Sequence, residues 1–236
     1  MLYSNRDQFI VSAAGCMYSD PNSLEAIMAG NDAGANGCTL PVRLTSDGIA
    51  VLCAGKGFTN RNGEYMAVED LTFSELRTFY NKVITFGQAL ELGRACAAKL
   101  CVMASDMQAV LSARVALKYS EYLENAYFAG LSIQEATKLS MRYPDLNLMM
   151  DFDRVPVSAE SLVRKVREAG LFGLRAEPAL LTAEICHAAL NNGLFVASTE
   201  STDPEELRNM MERGVNFIET ERPDLAYELL PKPDLD

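Results

Sequence analysis

Short apolar runs alternate with amphipathic segments along the chain. The runs are QFIVSA (8–13), GCTLPVRL (37–44), AKLCVMA (98–104), ENAYFAG (124–130), LNLMMDF (146–152), LFGLRAE (171–177), LFVAST (194–199) and NFIET (216–220). Their length and β-branched content predict buried strands. Between them, apolar residues recur at helical spacing over 22–33, 72–80, 85–97, 106–120, 132–142, 158–169, 181–192, 204–213 and 223–230. SIQE at Ser132, SAES at Ser158 and Asp203-Pro204 are helix starts, and Gly34, Gly170, Gly193 and Gly214 are helix stops.

Eight strand–helix units in series imply parallel pairing with right-handed crossovers. The expectation is α/β: a (β/α)8 TIM barrel in one domain spanning 1–236, close to the roughly 250 residues typical of that fold. A doubly wound open sheet would want a nucleotide-type glycine turn after the first strand, and SAAGCMYSD has a lone glycine. One segment is extra to a plain barrel. CTLPVRLTSDGIAVLCAG (38–55) reads as a β-hairpin after strand 2, turning at Asp47-Gly48, with Pro41 unable to donate a ladder hydrogen bond.

Charge and composition narrow the partners. A formal net charge of -11 argues against nucleic acid and anionic membranes, both of which need basic patches. No apolar stretch approaches the roughly 20 residues needed to span a bilayer, and the N-terminus lacks the features of a signal peptide. A cytoplasmic location is expected, with a small molecule or a protein as the partner class and no indication of oligomeric state. Cys16, Cys38, Cys53, Cys96, Cys101 and Cys186 form no CxxC pair and read as small buried hydrophobes. The one histidine, His187, falls on a helical pattern and is best read as a helix-surface residue.

The hairpin and its surroundings resemble the glycerophosphodiester phosphodiesterase family, whose members are PLC-like TIM barrels. GANGCTLPVRLTSDGIAVL resembles that family's G-A-D-x-x-E-x-D-V-x-L-T-x-D-G-x-x-V segment. PNSLEAIMAG is similar to its P-E-N-T-x-x-A-F helix, YMAVEDLTFSEL to its V-x-D-L-T-x-x-E-L segment, and VITFGQALEL to I-P-T-L-x-E-x-L. GVNFIETERP resembles the closing G-V-D-G-I-x-T-D-x-P. The resemblance spans about 8 to 230 and implies metal-dependent hydrolysis of glycerophosphodiesters to glycerol 3-phosphate and an alcohol, part of lipid metabolism. Calcium or magnesium would be the family cofactor.

The residues that carry that chemistry are replaced. The family's first-strand H-R-G falls on Ala13-Ala14-Gly15, its E-x-D metal pair on Thr39-Leu40-Pro41, its second H-D on Ala54-Gly55, and its E-x-K on Met103-Ala104-Ser105. General acid–base catalysis contributes roughly 10²–10⁴-fold, and no histidine lies in the first half of the chain to supply it. The resemblance therefore implies a pseudoenzyme with no catalytic or metal-binding residue at Ala13, Ala14, Ala54, Thr39, Pro41 or Met103, and no cofactor. At the strand ends, Ser12, Arg43, Lys56, Asp106, Asp151, Asp153, Arg175, Glu177, Glu200 and Glu221 remain as candidate ligand-face residues. Two alternatives stay open: a repurposed enzyme using Glu177 and Glu200, and an active family member completed by a partner.

Overall fold

The structure, a computed structural model, describes residues 4–154 and 158–230. Its strands are β1 (Phe9–Ser12), β2 (Gly37–Leu44), β3 (Ala50–Leu52), β4 (Gly57–Thr59), β5 (Tyr65–Ala67), β6 (Lys99–Ala104), β7 (Ala126–Ala129), β8 (Met149–Asp151), β9 (Gly173–Ala176), β10 (Phe195–Ser198) and β11 (Phe217–Thr220). Its α-helices are α1 (Leu24–Asp32), α2 (Phe73–Phe79), α3 (Phe86–Ala95), α4 (Met107–Tyr119), α5 (Ile133–Arg142), α6 (Ala159–Glu168), α7 (Ala183–Asn191), α8 (Pro204–Glu212) and α9 (Pro223–Leu229).

Eight parallel strands run in the order β7-β6-β2-β1-β11-β10-β9-β8. The remaining seam is bridged by a parallel Phe128–Leu148 contact and by Phe128 N–H donating to Asn147 O at 2.8 Å. The result is a nearly closed (β/α)8 barrel, as the alternation of strand and helix requires. Local signals act where the sequence places them. The Ser132 hydroxyl and Glu135 carboxylate close a capping box at α5, Asp203 caps α8 ahead of Pro204, and α7 and α8 stop at Gly193 and Gly214, both at positive φ.

The core has two shells. Outward-facing strand residues such as Leu40, Val102, Phe128, Leu174 and Val196 pack against the helices. Inward-facing residues fill the barrel itself: Val11, Cys101, Tyr127, Ala129, Met149, Phe195, Ala197 and Phe217. Tyr127 and Phe217 have ring centroids 4.3 Å apart, and Phe172 and Phe195 stack at 4.2 Å. The lower barrel is thus a packed aromatic plug rather than a pore.

The expected hairpin forms. β3 pairs antiparallel to the end of β2 with Val42 opposite Leu52, and Gly48 supplies the positive φ of the turn. Beyond it lies a second hairpin, β4–β5, with Gly57 opposite Ala67. It sits over a satellite cluster of Val51, Cys53, Val68, Leu76 and Val83, separate from the barrel core.

Candidate functional site

The β-strand period of two decides which residues reach the barrel mouth. On β2, Leu40 and Val42 face the helices, so Thr39, Pro41 and Arg43 face the mouth. The positions that the resemblance assigns to metal binding come out as neighbours: Thr39 is in register with Cys101, and Pro41 with Met103. Two hydrocarbon or thioether side chains and a hydroxyl offer no carboxylate for a hard cation. Among the described residues, no group of three or more His, Cys, Asp or Glu is placed to hold a metal ion. The residues present do not fit the divalent cation of the resembling family.

A buried polar network fills the space instead. Arg175 on β9 is in register with Asp151 on β8, and its guanidinium lies 3.5 Å from the Asp151 carboxylate. It also reaches across β10 to Glu219 on β11, donating to Oε2 at 2.8 Å. The small side chain of Ala197, in register with Arg175, leaves room for that reach. The Thr39 hydroxyl donates to Oε1 of Glu219 at 2.7 Å. Gly130 N–H donates to Oδ2 of Asp151 at 2.7 Å. Arg175 and Glu219 are 9% and 5% exposed, so water screens their pairing little. Burial disfavours the charge on Arg175, but the Glu219 and Asp151 carboxylates reverse that, and its pKa stands above the usual arginine value. Two buried atoms keep unused capacity: Oδ1 of Asp151 and Nε of Arg175.

The other candidates lie around this network. Glu177, Glu200, Glu221, Asp153 and Lys56 are exposed at strand ends. The Glu200 carboxyl is pushed above the ordinary range, by burial first and then by the charges of Glu221 and Glu219. Arg43 donates through Nε to Gly55 O, which fastens the end of β2 to the hairpin exit. Asp106 accepts Ala109 N–H as the cap of α4. Ser12 is on the far face of β1, packed toward α1, where a Cβ built on Gly30 would lie 2.5 Å from its own Cβ. Ala13 is buried and donates to Thr220 O at 2.9 Å, while Ala54 N–H donates to the Asn22 side chain at 3.1 Å. The first ties the end of β1 to β11, and the second ties the first loop to the hairpin exit.

The cysteines behave as hydrophobes. Cys16, Cys38, Cys53, Cys101 and Cys186 are buried and all six are free. Burial pushes the Cys101 thiol up to about 12 and the Cys16 thiol up to about 11, away from nucleophilic use. His187 is exposed on α7.

Glu219 was not among the sequence candidates, although it is the hub of the site. The alternation Phe217-in, Ile218-out, Glu219-in within NFIET is the signal that finds it.

Solved structures share this architecture. A glycerophosphodiester phosphodiesterase from Agrobacterium tumefaciens is 18% identical, with 94% of this chain and 99% of that chain covered and a TM-score of 0.79. One from Thermotoga maritima is 21% identical, with 94% and 98% covered and a TM-score of 0.78. A phosphodiesterase from Oleispira antarctica, solved in complex with the product sn-glycerol-3-phosphate, is 12% identical, with 96% and 99% covered and a TM-score of 0.80. The fold is that of the glycerophosphodiester phosphodiesterases. No family model matches the sequence, and no curated protein matches it. At such identities the similarity establishes the barrel, and chemistry has to be read from the site.

Proposed function

We propose that this chain is a non-catalytic descendant of the glycerophosphodiester phosphodiesterases, a pseudoenzyme that keeps the barrel and binds a ligand or partner without turning over a phosphodiester. The observation that carries this reading is the buried Arg175–Glu219–Thr39 network, which stands in the barrel mouth next to Pro41 and Met103. Diester hydrolysis needs a proton donor for the leaving alcohol and an electrophile for the phosphoryl oxygens. Alanines occupy the expected proton-transfer positions 13 and 54, and the inner polar groups are bonded to one another. The repurposed-enzyme alternative has less support, because Glu177 and Glu200 sit outside the buried network at exposed strand ends.

The test is a turnover assay of the purified chain with glycerophosphocholine and glycerophosphoethanolamine, with calcium, magnesium or manganese added. The expected outcome is no release of glycerol 3-phosphate above a no-protein control at any metal concentration. Metal-stimulated release that persists through purification to homogeneity overturns the reading.

A further inference from the structure

The barrel mouth holds a cation of its own. Three oxygen-bearing side chains converge there: Asp151 and Glu219, both directed at the Arg175 guanidinium, and Thr39, bonded to the far oxygen of Glu219. They come from three strands, β8, β11 and β2, as the side chains of a barrel-mouth site do. Between the two carboxylates stands the guanidinium of a residue only 9% exposed, its Nε and the nearby Asp151 Oδ1 both without a hydrogen-bond partner. A guanidinium there supplies the one positive charge that two converging carboxylates demand, and it needs no ion from solution. Farther along β2 and β6, Pro41 and Met103 are in register with each other and offer groups that cannot ligate a hard cation.

We infer that Arg175 is the resident cation of this site: it occupies the place a divalent ion would take between Asp151 and Glu219, and so makes the folded chain independent of divalent metal. The inference deepens the non-catalytic reading and can fail separately from it. Diester turnover would overturn the reading, whereas cation binding by the wild-type mouth would overturn the inference even in an inactive protein.

The experiment measures Mg²⁺, Ca²⁺ and Mn²⁺ binding by calorimetry and Tm by thermal melting, on wild type, Arg175→Lys, Arg175→Met and Arg175→Met/Glu219→Gln. Wild type and Arg175→Lys are expected to give no saturable heat and no cation-dependent change in Tm. Arg175→Met exposes the carboxylate pair to solution cations. Its Tm is expected to rise by about 5–10 °C at a Mn²⁺ concentration roughly 100-fold above its Kd. Adding Glu219→Gln abolishes that rise. Two results overturn the inference: a saturable wild-type cation site that Asp151→Asn removes, or an Arg175→Met protein whose melting ignores all three cations. If Arg175→Met does not fold without metal, its refolding yield with and without Mn²⁺ gives the same decision.

Discussion

At the scale of single residues, the least replaceable pair is Arg175 and Glu219. Glu219 is the closer and more buried of the two carboxylate partners of Arg175, so removing it leaves the buried guanidinium with only the 3.5 Å Asp151 contact. Such a loss costs about 3–5 kcal/mol, while replacing both partners with apolar groups of similar volume is often neutral or stabilising. Glu219→Ala is therefore expected to lower the unfolding free energy by about 3–5 kcal/mol, and Arg175→Met/Glu219→Leu to recover most of it. Chemical denaturation of the two variants beside wild type checks this. A double variant as unstable as the single one would mean that the pair is not the unit of stability. Arg175 was legible from the sequence as a strand-end residue. What the sequence hid was its partner, because a lone glutamate in NFIET looks like an edge residue until the strand's inner face is known. A carboxylate two residues after an inward Phe217 has to point into the barrel, and there it requires a cation.

At the scale of elements, strand and helix order was legible almost throughout, because every α-helix but the last carries a side-chain cap and the barrel strands carry apolar runs. The second strand reads GCTLPVRL and forms as 37–44 despite its proline. The reason is geometric. A residue's N–H and C=O leave a strand on the same side. Pro41 O accepts Cys53 N–H, so its nitrogen faces the hairpin side, beyond the last β1 pair at Ser12–Cys38. The missing donor therefore removes nothing from the long β2–β6 ladder. The β4–β5 hairpin escaped the sequence reading because its strands are three residues each and lack alternation, leaving Asn62-Gly63 as the only signal. Its stability is expected to be local. A Cβ at Gly57 would meet Met66 O at 1.9 Å, and one at Gly173 would meet Phe195 O at 2.1 Å in the barrel wall. Gly57→Ala is expected to speed hydrogen exchange in β4 and β5 while leaving global stability nearly unchanged. Gly173→Ala, by comparison, costs about 1–3 kcal/mol of overpacking felt across the barrel. Equal global destabilisation by the two would show that the hairpin and barrel unfold as one unit.

At the scale of the whole molecule, acidity and site geometry meet at the rim. The chain carries a net charge of -11, and Glu200, Glu221 and Glu219 are close enough for their charges to oppose one another. The sign of the consequence follows from proton linkage. The pKa of Glu200 is raised in the folded state, by burial and then by its two neighbours, so the folded chain holds that proton more tightly than the unfolded chain does. Stability from this group is present at low pH and is lost as pH rises through the folded pKa. Groups of the opposite sort bound the acidic side: Asp145 is held below the usual carboxylate range, chiefly by its hydrogen bond to Arg114, and its contribution fades only as pH falls through that lowered pKa. Tm is therefore expected to fall as pH rises through the raised pKa of Glu200, to level off above it, and to fall again in acid as Asp145 is protonated. Glu200→Gln removes the titrating rim carboxyl, so it should raise Tm at neutral pH and flatten that decline, while added salt should narrow its advantage by screening. Melting curves between pH 4.5 and 8, at low and high salt, read all three effects. A Glu200→Gln profile that tracks wild type at every pH would locate the acid preference in the general surface charge and leave the barrel rim without a part in it.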